Sequence, residues 1–159
     1  MLQMRPMTQD EFRQYRQHAQ KAYAEDLIES GQSAPAAASA RAEACIDTLL
    51  PDGLLTDGQA LMTLRDSATG NRLGTLWYGV VTEGENRTLF IYDLDIEPAF
   101  RRQGWGTRVL EALEDEARTL RVAEIGLSVF NHHAAALALY REQGYVPITT
   151  TLVKPVEPV

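Results

Sequence analysis

One cysteine in 159 residues, Cys45, leaves no partner for an internal disulfide and none for a thiolate metal cluster. It falls in an alanine-rich helical pattern, where a small buried side chain is the expectation. No run of about 18 apolar residues occurs, and Met1 to Phe12 carries no apolar stretch of the signal-peptide kind, so the chain reads as soluble and cytoplasmic, with no membrane partner. Basic residues are scarce: 15 Lys and Arg face 22 Asp and Glu, a formal charge of −7. That balance argues against nucleic acid, which needs a cationic face, and weakly favours a cationic substrate. No Gly-Lys-Ser/Thr occurs, which excludes a Walker loop, and Gly104-Trp105-Gly106 lacks the third glycine of a dinucleotide fingerprint.

What is present suits a single domain over residues 1–159, with 45% hydrophobic and 23% charged residues. Leu2 to Arg5 reads as a short strand, and Thr8-Gln9-Asp10-Glu11 as a capping box opening a helix. Phe12, Tyr15, Ala19, Ala22, Tyr23 and Leu27 mark that helix's apolar face, and a second helix is expected from Ala36 to Leu50, stopped at Pro51-Asp52-Gly53. Three antiparallel strands follow, Ala60 to Arg65, Leu73 to Val81 and Thr88 to Ile96, joined by hairpin-length turns. Val109, Leu110, Leu113, Ala117 and Leu120 form a helical stripe after the glycine turn, and Glu111, Glu114, Asp115 and Glu116 a solvated face. Ile125, Leu127 and Val129 alternate as a strand that the crossover places parallel to Thr88–Ile96. A helix from His133 to Gln143, capped by Gly144, precedes one or two last strands in Tyr145 to Val153. The order predicts an α/β chain with a mixed sheet of six to seven strands and helices on both faces. An exposed sheet edge near the C-terminus leaves room for a homodimer.

The turn Arg101-Arg102-Gln103-Gly104-Trp105-Gly106-Thr107 lies between a strand and a helix start, where backbone N–H groups and the helix dipole favour a phosphate group. Leu94-Asp95-Ile96-Glu97-Pro98, then Arg101-x-x-Gly104-x-Gly106, then Leu127-Ser128-Val129-Phe130, then Leu139-Tyr140-Arg141-Glu142-Gln143-Gly144-Tyr145, occur in that order. Together they resemble the successive motifs of the GNAT N-acetyltransferase superfamily.

The resemblance implies an N-acetyltransferase that uses acetyl-coenzyme A as cosubstrate and passes the acetyl group directly to a small-molecule or protein primary amine in a ternary complex. It implies that backbone amides from Arg102 through Thr107, those of Gln103, Gly104, Trp105 and Gly106 among them, hold the pyrophosphate, with Arg101 and Arg102 adding positive charge; the Trp105 side chain is read as core. It implies that Leu94, Asp95 and Ile96 pair with the pantetheine arm, and that the central strand pair splays to admit it. Tyr140 matches the tyrosine that protonates the departing thiolate. Where related sequences usually have Val-Phe-Gly-His-Asn, this chain has Val129-Phe130-Asn131-His132-His133, so Asn131 or His133 stands in for the usual asparagine beside the cofactor arm.

Direct attack needs a neutral amine, and for a lysine-like pKa of about 10.4 neutrality at pH 7 costs about 4.6 kcal/mol. A base or desolvation must relieve that cost. Phe90 stands where some family members carry a glutamate base; Asp93, sharing a strand face with Asp95, is the leading candidate, with Glu25, Asp26 and Glu29 as other acids bordering the cleft. The rival reading is a non-catalytic acyl-coenzyme A sensor or interaction domain that keeps the cleft without turnover.

Overall fold

The computed structural model describes residues 1–158. Its elements run β1 (Leu2–Pro6), α1 (Gln9–Glu29), α2 (Pro35–Leu49), β2 (Gln59–Asp66), β3 (Arg72–Glu83), β4 (Asn86–Ile96), α3 (Trp105–Thr119), β5 (Glu124–Leu127) and α4 (Ala134–Glu142). The five strands lie in sequence order, antiparallel except for the parallel pair β4–β5. No helix among the described residues is long and apolar enough to cross a membrane.

Each helix starts where local chemistry dictates. The Thr8 hydroxyl accepts from the Glu11 N–H while the Glu11 carboxylate accepts from the Thr8 N–H, a reciprocal capping box worth about 1 kcal/mol. Pro35 opens α2, its missing N–H being one that a first helical residue leaves unused. Gly144 closes the last helix at φ +90°, in the left-handed region expected of a cap.

The sheet divides two apolar layers. On one face Leu64, Leu76, Leu89 and Ile91 pack against Val109, Leu110 and Leu113 of α3, with Leu139 and Tyr140 of α4 at the margin. On the other, Leu61 and Trp77 pack against Phe12 and Tyr15 of α1 and Ile46 of α2. Helices thus cover both faces, as the element order predicts.

Two expectations are corrected. The sheet has five strands, because the segment from Tyr145 onward forms none among the described residues. Its β-branched residues find no partner strand, and its last backbone hydrogen bond is from the Tyr145 N–H to the Tyr140 carbonyl at 2.9 Å. Cys45 is half-buried rather than buried.

Candidate functional site

β4 is where the site begins, because its regular alternation breaks once. Trp77 pairs with Asp93 and Tyr78 with Ile91, so Tyr92 is an extra residue, a β-bulge. Before it, Leu89 and Ile91 face α3; after it, Leu94 and Ile96 do so. The one-residue shift turns Asp93 and Asp95 toward α1, away from the apolar layer that would otherwise receive two carboxylates. Tyr92 also faces α1, stacked on Trp77 with ring centroids 4.7 Å apart.

β4 and β5 pair from Thr88 with Glu124 to Ile91 with Leu127, and there the ladder stops. β4 continues to Ile96 on β3 alone, leaving the β5-facing edge of Tyr92–Ile96 open. The expected splay is therefore present. Backbone groups on such an edge can accept an added extended ligand.

α3 begins at the end of this gap. Arg102 and Gly104 both have positive φ, +60° and +83°, so the turn alternates conformations in the way that gathers successive N–H groups into a concave nest. The first helical bond runs from the Arg108 N–H to the Gly104 carbonyl at 3.2 Å, and no side chain caps the helix. The N–H groups of Trp105, Gly106 and Thr107 thus precede the helical ladder. The two glycines serve different ends. A Cβ on Gly104 would meet nothing within 4 Å, so its need is for left-handed backbone beside open space, whereas one on Gly106 would sit 2.8 Å from the Leu139 side chain of α4.

The other residues of the turn divide by where their side chains go. Trp105 is buried in the α3 layer, with the Arg108 guanidinium 4.7 Å over its ring. Arg101 folds back: its Nε donates to the Ile96 carbonyl at 2.8 Å and its Nη2 lies 3.4 Å from Asp95. Its charge is thereby shared with β4 instead of standing free toward the turn. Arg102 is exposed, and Gln103 reaches the Ala99 carbonyl at 3.3 Å.

Asp93 is half-buried and accepts a hydrogen bond from the Tyr15 hydroxyl at 2.8 Å. Burial pushes its carboxyl up to about 6; the Tyr15 bond opposes this, and the negative charge of Asp95 adds to it. Tyr140 is pushed up to about 12, mainly by burial and then by the nearby Asp93 charge.

α1 spans the gap by one stripe. Tyr15 holds Asp93, and His18 Nε2 lies 3.2 Å from Asp95. Further along, Asp26 Oδ1 receives both His132 Nε2 and His133 Nε2 at 2.8 Å, with Glu29 3.5 Å from His132. Tyr15, His18, Asp26 and Glu29 recur at helical spacing, so one helix face ties β4 to the loop between β5 and α4. His133, expected beside the cofactor arm, is thus turned to α1, while Asn131 is exposed without a side-chain partner among the described residues. Glu25 is exposed and takes no part. The sequence places Tyr15 on the apolar face of α1; His18, three residues on and so on a neighbouring stripe, is the site residue that this apolar pattern does not mark.

A family model described as the acetyltransferase (GNAT) family matches residues 10–145. YycN of Bacillus subtilis strain 168, an uncharacterised N-acetyltransferase, is 31% identical over 144 residues, covering 91% of this chain and 92% of that protein. YdgE of the same organism, likewise an uncharacterised N-acetyltransferase, is 28% identical over 139 residues, 87% of this chain and 88% of that one. The crystal structure of Bacillus subtilis YycN fits with a TM-score of 0.92 at 28% identity, over 99% of this chain and 100% of that one. AAC(6')-Iy, solved with the bisubstrate analogue CoA-S-monomethyl-acetylneamine, shares the fold at a TM-score of 0.61 and 13% identity, with 99% of each chain covered.

Proposed function

The chain belongs to the acetyltransferase (GNAT) family, and from that premise we propose that it transfers the acetyl group of acetyl-coenzyme A to a primary amine by direct attack within the open strand gap. The observation that carries the reading is the juxtaposition at that gap: uncapped N–H groups of α3 at its end, a free β4 edge along it, Asp93 on that strand, and Tyr140 packed on the same apolar layer as Leu94 and Ile96.

The turn fits a diphosphate. Unpartnered donors, left-handed backbone at Gly104 and open space beyond it form a cradle for oxygen anions. The main chain of Leu94, Asp95 and Ile96 offers the pantetheine arm an edge, and Arg101 fixes that edge through the Ile96 carbonyl. Asn131, exposed and with no side-chain partner among the described residues, is the one left free to contact the arm, since His133 is engaged with Asp26.

Asp93 is the proposed base. A carboxyl near 6 is mostly ionised at neutral pH yet far more basic than an exposed aspartate, which narrows its gap to an ammonium ion. As the amine nitrogen bonds to the thioester carbonyl carbon, its proton passes to Asp93 and the carbon–sulfur bond breaks. The sulfur takes a proton from Tyr140, free thiol and amide leave, and the proton held by Asp93 returns through solvent to the Tyr140 phenolate, restoring both groups. The two proton transfers help one another: the Asp93 charge is one cause of the weak acidity of Tyr140, so protonating Asp93 removes it when the phenol must donate.

Asp93 and Asp95 of β4 and Asp26 and Glu29 of α1 lie along the α1 stripe, engaged by Tyr15, His18, Arg101 and the two histidines, and this local excess of carboxylates supports an acceptor amine carrying a second positive charge. Incubation with acetyl-coenzyme A and a panel of mono- and polyamines, with released thiol as the readout, tests the proposal. Turnover with at least one diamine is expected. Cofactor binding without thiol release across the panel would favour the non-catalytic reading.

A further inference from the structure

Two neighbouring side chains of the loop between β5 and α4 point at one atom. His132 Nε2 and His133 Nε2 each lie 2.8 Å from Asp26 Oδ1, and Glu29 Oε2 lies 3.5 Å from His132 Nε2. Consecutive side chains of a helix or strand diverge, by about 100° or 180°. Here they converge, because His133 has the non-helical backbone of an N-cap, φ −81° and ψ 71°. The turn is closed by the His133 N–H donating to the Phe130 carbonyl and the Ala134 N–H to the His132 carbonyl, both at 3.0 Å. The two imidazole rings stand 4.5 Å apart between centroids. Asp26 and Glu29, three residues apart on α1, bring carboxylates from the facing side. Sequence spacing gives no sign of the cluster, since Asp26 and His132 are 106 positions apart.

Hydrogen bonding uses this arrangement incompletely. An imidazole that donates from Nε2 leaves a lone pair on Nδ1, and neither Nδ1 has a protein partner among the described residues. The opposite tautomer turns both Nε2 lone pairs on the Asp26 carboxylate, a repulsion that a cation among the three atoms removes. The ligand atoms of Asp26, His132 and His133 all lie within 4.8 Å of one another. Tetrahedral coordination with bonds of about 2.0–2.1 Å separates donors by about 3.3 Å, so the His132–Glu29 spacing fits and each histidine withdraws from Asp26 by about 0.5 Å. Phe130 closes one side, stacked on His132 at 5.4 Å between centroids and 6.0 Å from Tyr23, one turn before Asp26 on α1. Solvent reaches the other. Side-chain exposure rises from 20% at Asp26 and 21% at His132 to 44% at His133 and 66% at Glu29, which gives an ion its entry path.

We propose that Asp26, His132 and His133, with Glu29 as a fourth ligand, form a site for a first-row divalent transition-metal ion, with Zn2+ the best match. The donor set decides the class. Paired imidazoles suit Zn2+, Ni2+ or Co2+, whereas Ca2+ and Mg2+ take oxygen donors, and the set holds no thiolate to select Cu(I). Two carboxylates balance the double charge of the ion. Bound there, the ion clamps α1 to the loop between β5 and α4. Neither Asp93 nor Tyr140 is among its ligands, so the inference goes beyond the proposed activity and does not depend on it.

Tag-free protein, stripped with a chelator and titrated with zinc chloride, tests it by calorimetry and by nitrogen NMR of the imidazoles. One ion should bind per chain, and the Nε2 resonances of His132 and His133 should shift while those of His18, the third histidine, stay in place. His132→Ala and His133→Ala should each weaken binding by at least about 100-fold, Glu29→Gln by about 10-fold and Cys45→Ser by less than about 2-fold. The spectra of the unsubstituted protein identify the ligands directly, so the test stands even where a variant fails to fold. Failure to bind Zn2+ stoichiometrically at high micromolar concentration would overturn the proposal. So would imidazole resonances of His132 and His133 that do not move, or an affinity that both alanine variants retain.

Discussion

Asp93 concentrates the residue-scale argument, because the burial that suits it to accept a proton also makes it a liability to folding. Its folded pKa, about 6, lies above the ordinary 3.8, so between those values the native state holds a proton that the unfolded chain has released. Stability therefore falls as pH rises through that window, and the cost, roughly 3 kcal/mol, is fully present above about pH 6. Asp93→Asn keeps an acceptor for the Tyr15 hydroxyl without the buried charge. Melting curves at pH 8 should show the variant more stable than the parent, with the difference shrinking toward pH 4, while kcat/KM drops by about 100-fold or more. A less stable variant at pH 8 would contradict the burial argument. The pH–rate profile should lose activity below about 6. It should have no alkaline limb from Tyr140 until above pH 11, since that phenol is held near 12. Tyr140→Phe should lower kcat while leaving coenzyme A binding within about 2-fold; an equal loss of both would make Tyr140 a binding group.

At the scale of elements, the decisive objects are the β4 bulge, the α3 turn and the α1 stripe. The helices and the inner strands were legible to within a few residues, because capping chemistry, apolar period and turn residues all act locally. Asp93 and Asp95 were legible as sharing a face, but not which face, because Tyr92 shifts the register. The trace was there in Leu89 and Ile91 followed by Leu94 and Ile96, a pattern that skips one place. The pairing of Asp26 with His132 and His133 was not legible, since residues 26 and 132 are brought together only by the tertiary course of the chain. Asp26→Asn should therefore loosen the loop from Ser128 to His133, raising its amide exchange several-fold with little change in α3; uniform exchange across the chain would show the contact to be idle. Gly104→Val places a β-branched residue at φ +83°, costing about 1–2 kcal/mol in stability apart from any effect on ligand.

The whole molecule carries a charge of −7 and is proposed to hold an anionic cofactor and a cationic acceptor. Local main-chain donors must outweigh the global field at the turn, while the carboxylates of the cleft work with it. Raising salt should accordingly weaken acceptor affinity, seen as a higher KM for a diamine, more than it weakens coenzyme A affinity; the reverse order would argue against the acidic acceptor site. The five strands, against six to seven expected, also belong to this scale. The residues of 145–153 have the composition of strands, yet they pair with no strand among the described residues, although the outer edge of β5 is open.

The central claim is that the N-terminus of α3 binds the diphosphate, and titration calorimetry with coenzyme A on the parent protein and Gly104→Val tests it most directly, with pantetheine as the control lacking that group. The parent should bind coenzyme A and gain about 2.7 kcal/mol of stability at 100 times the dissociation constant, a rise in melting temperature of roughly 5–11 °C, while pantetheine binds at least about 10-fold more weakly. A folded Gly104→Val protein should lose that preference. Coenzyme A binding equally well to both proteins, or no better than pantetheine, would contradict the account.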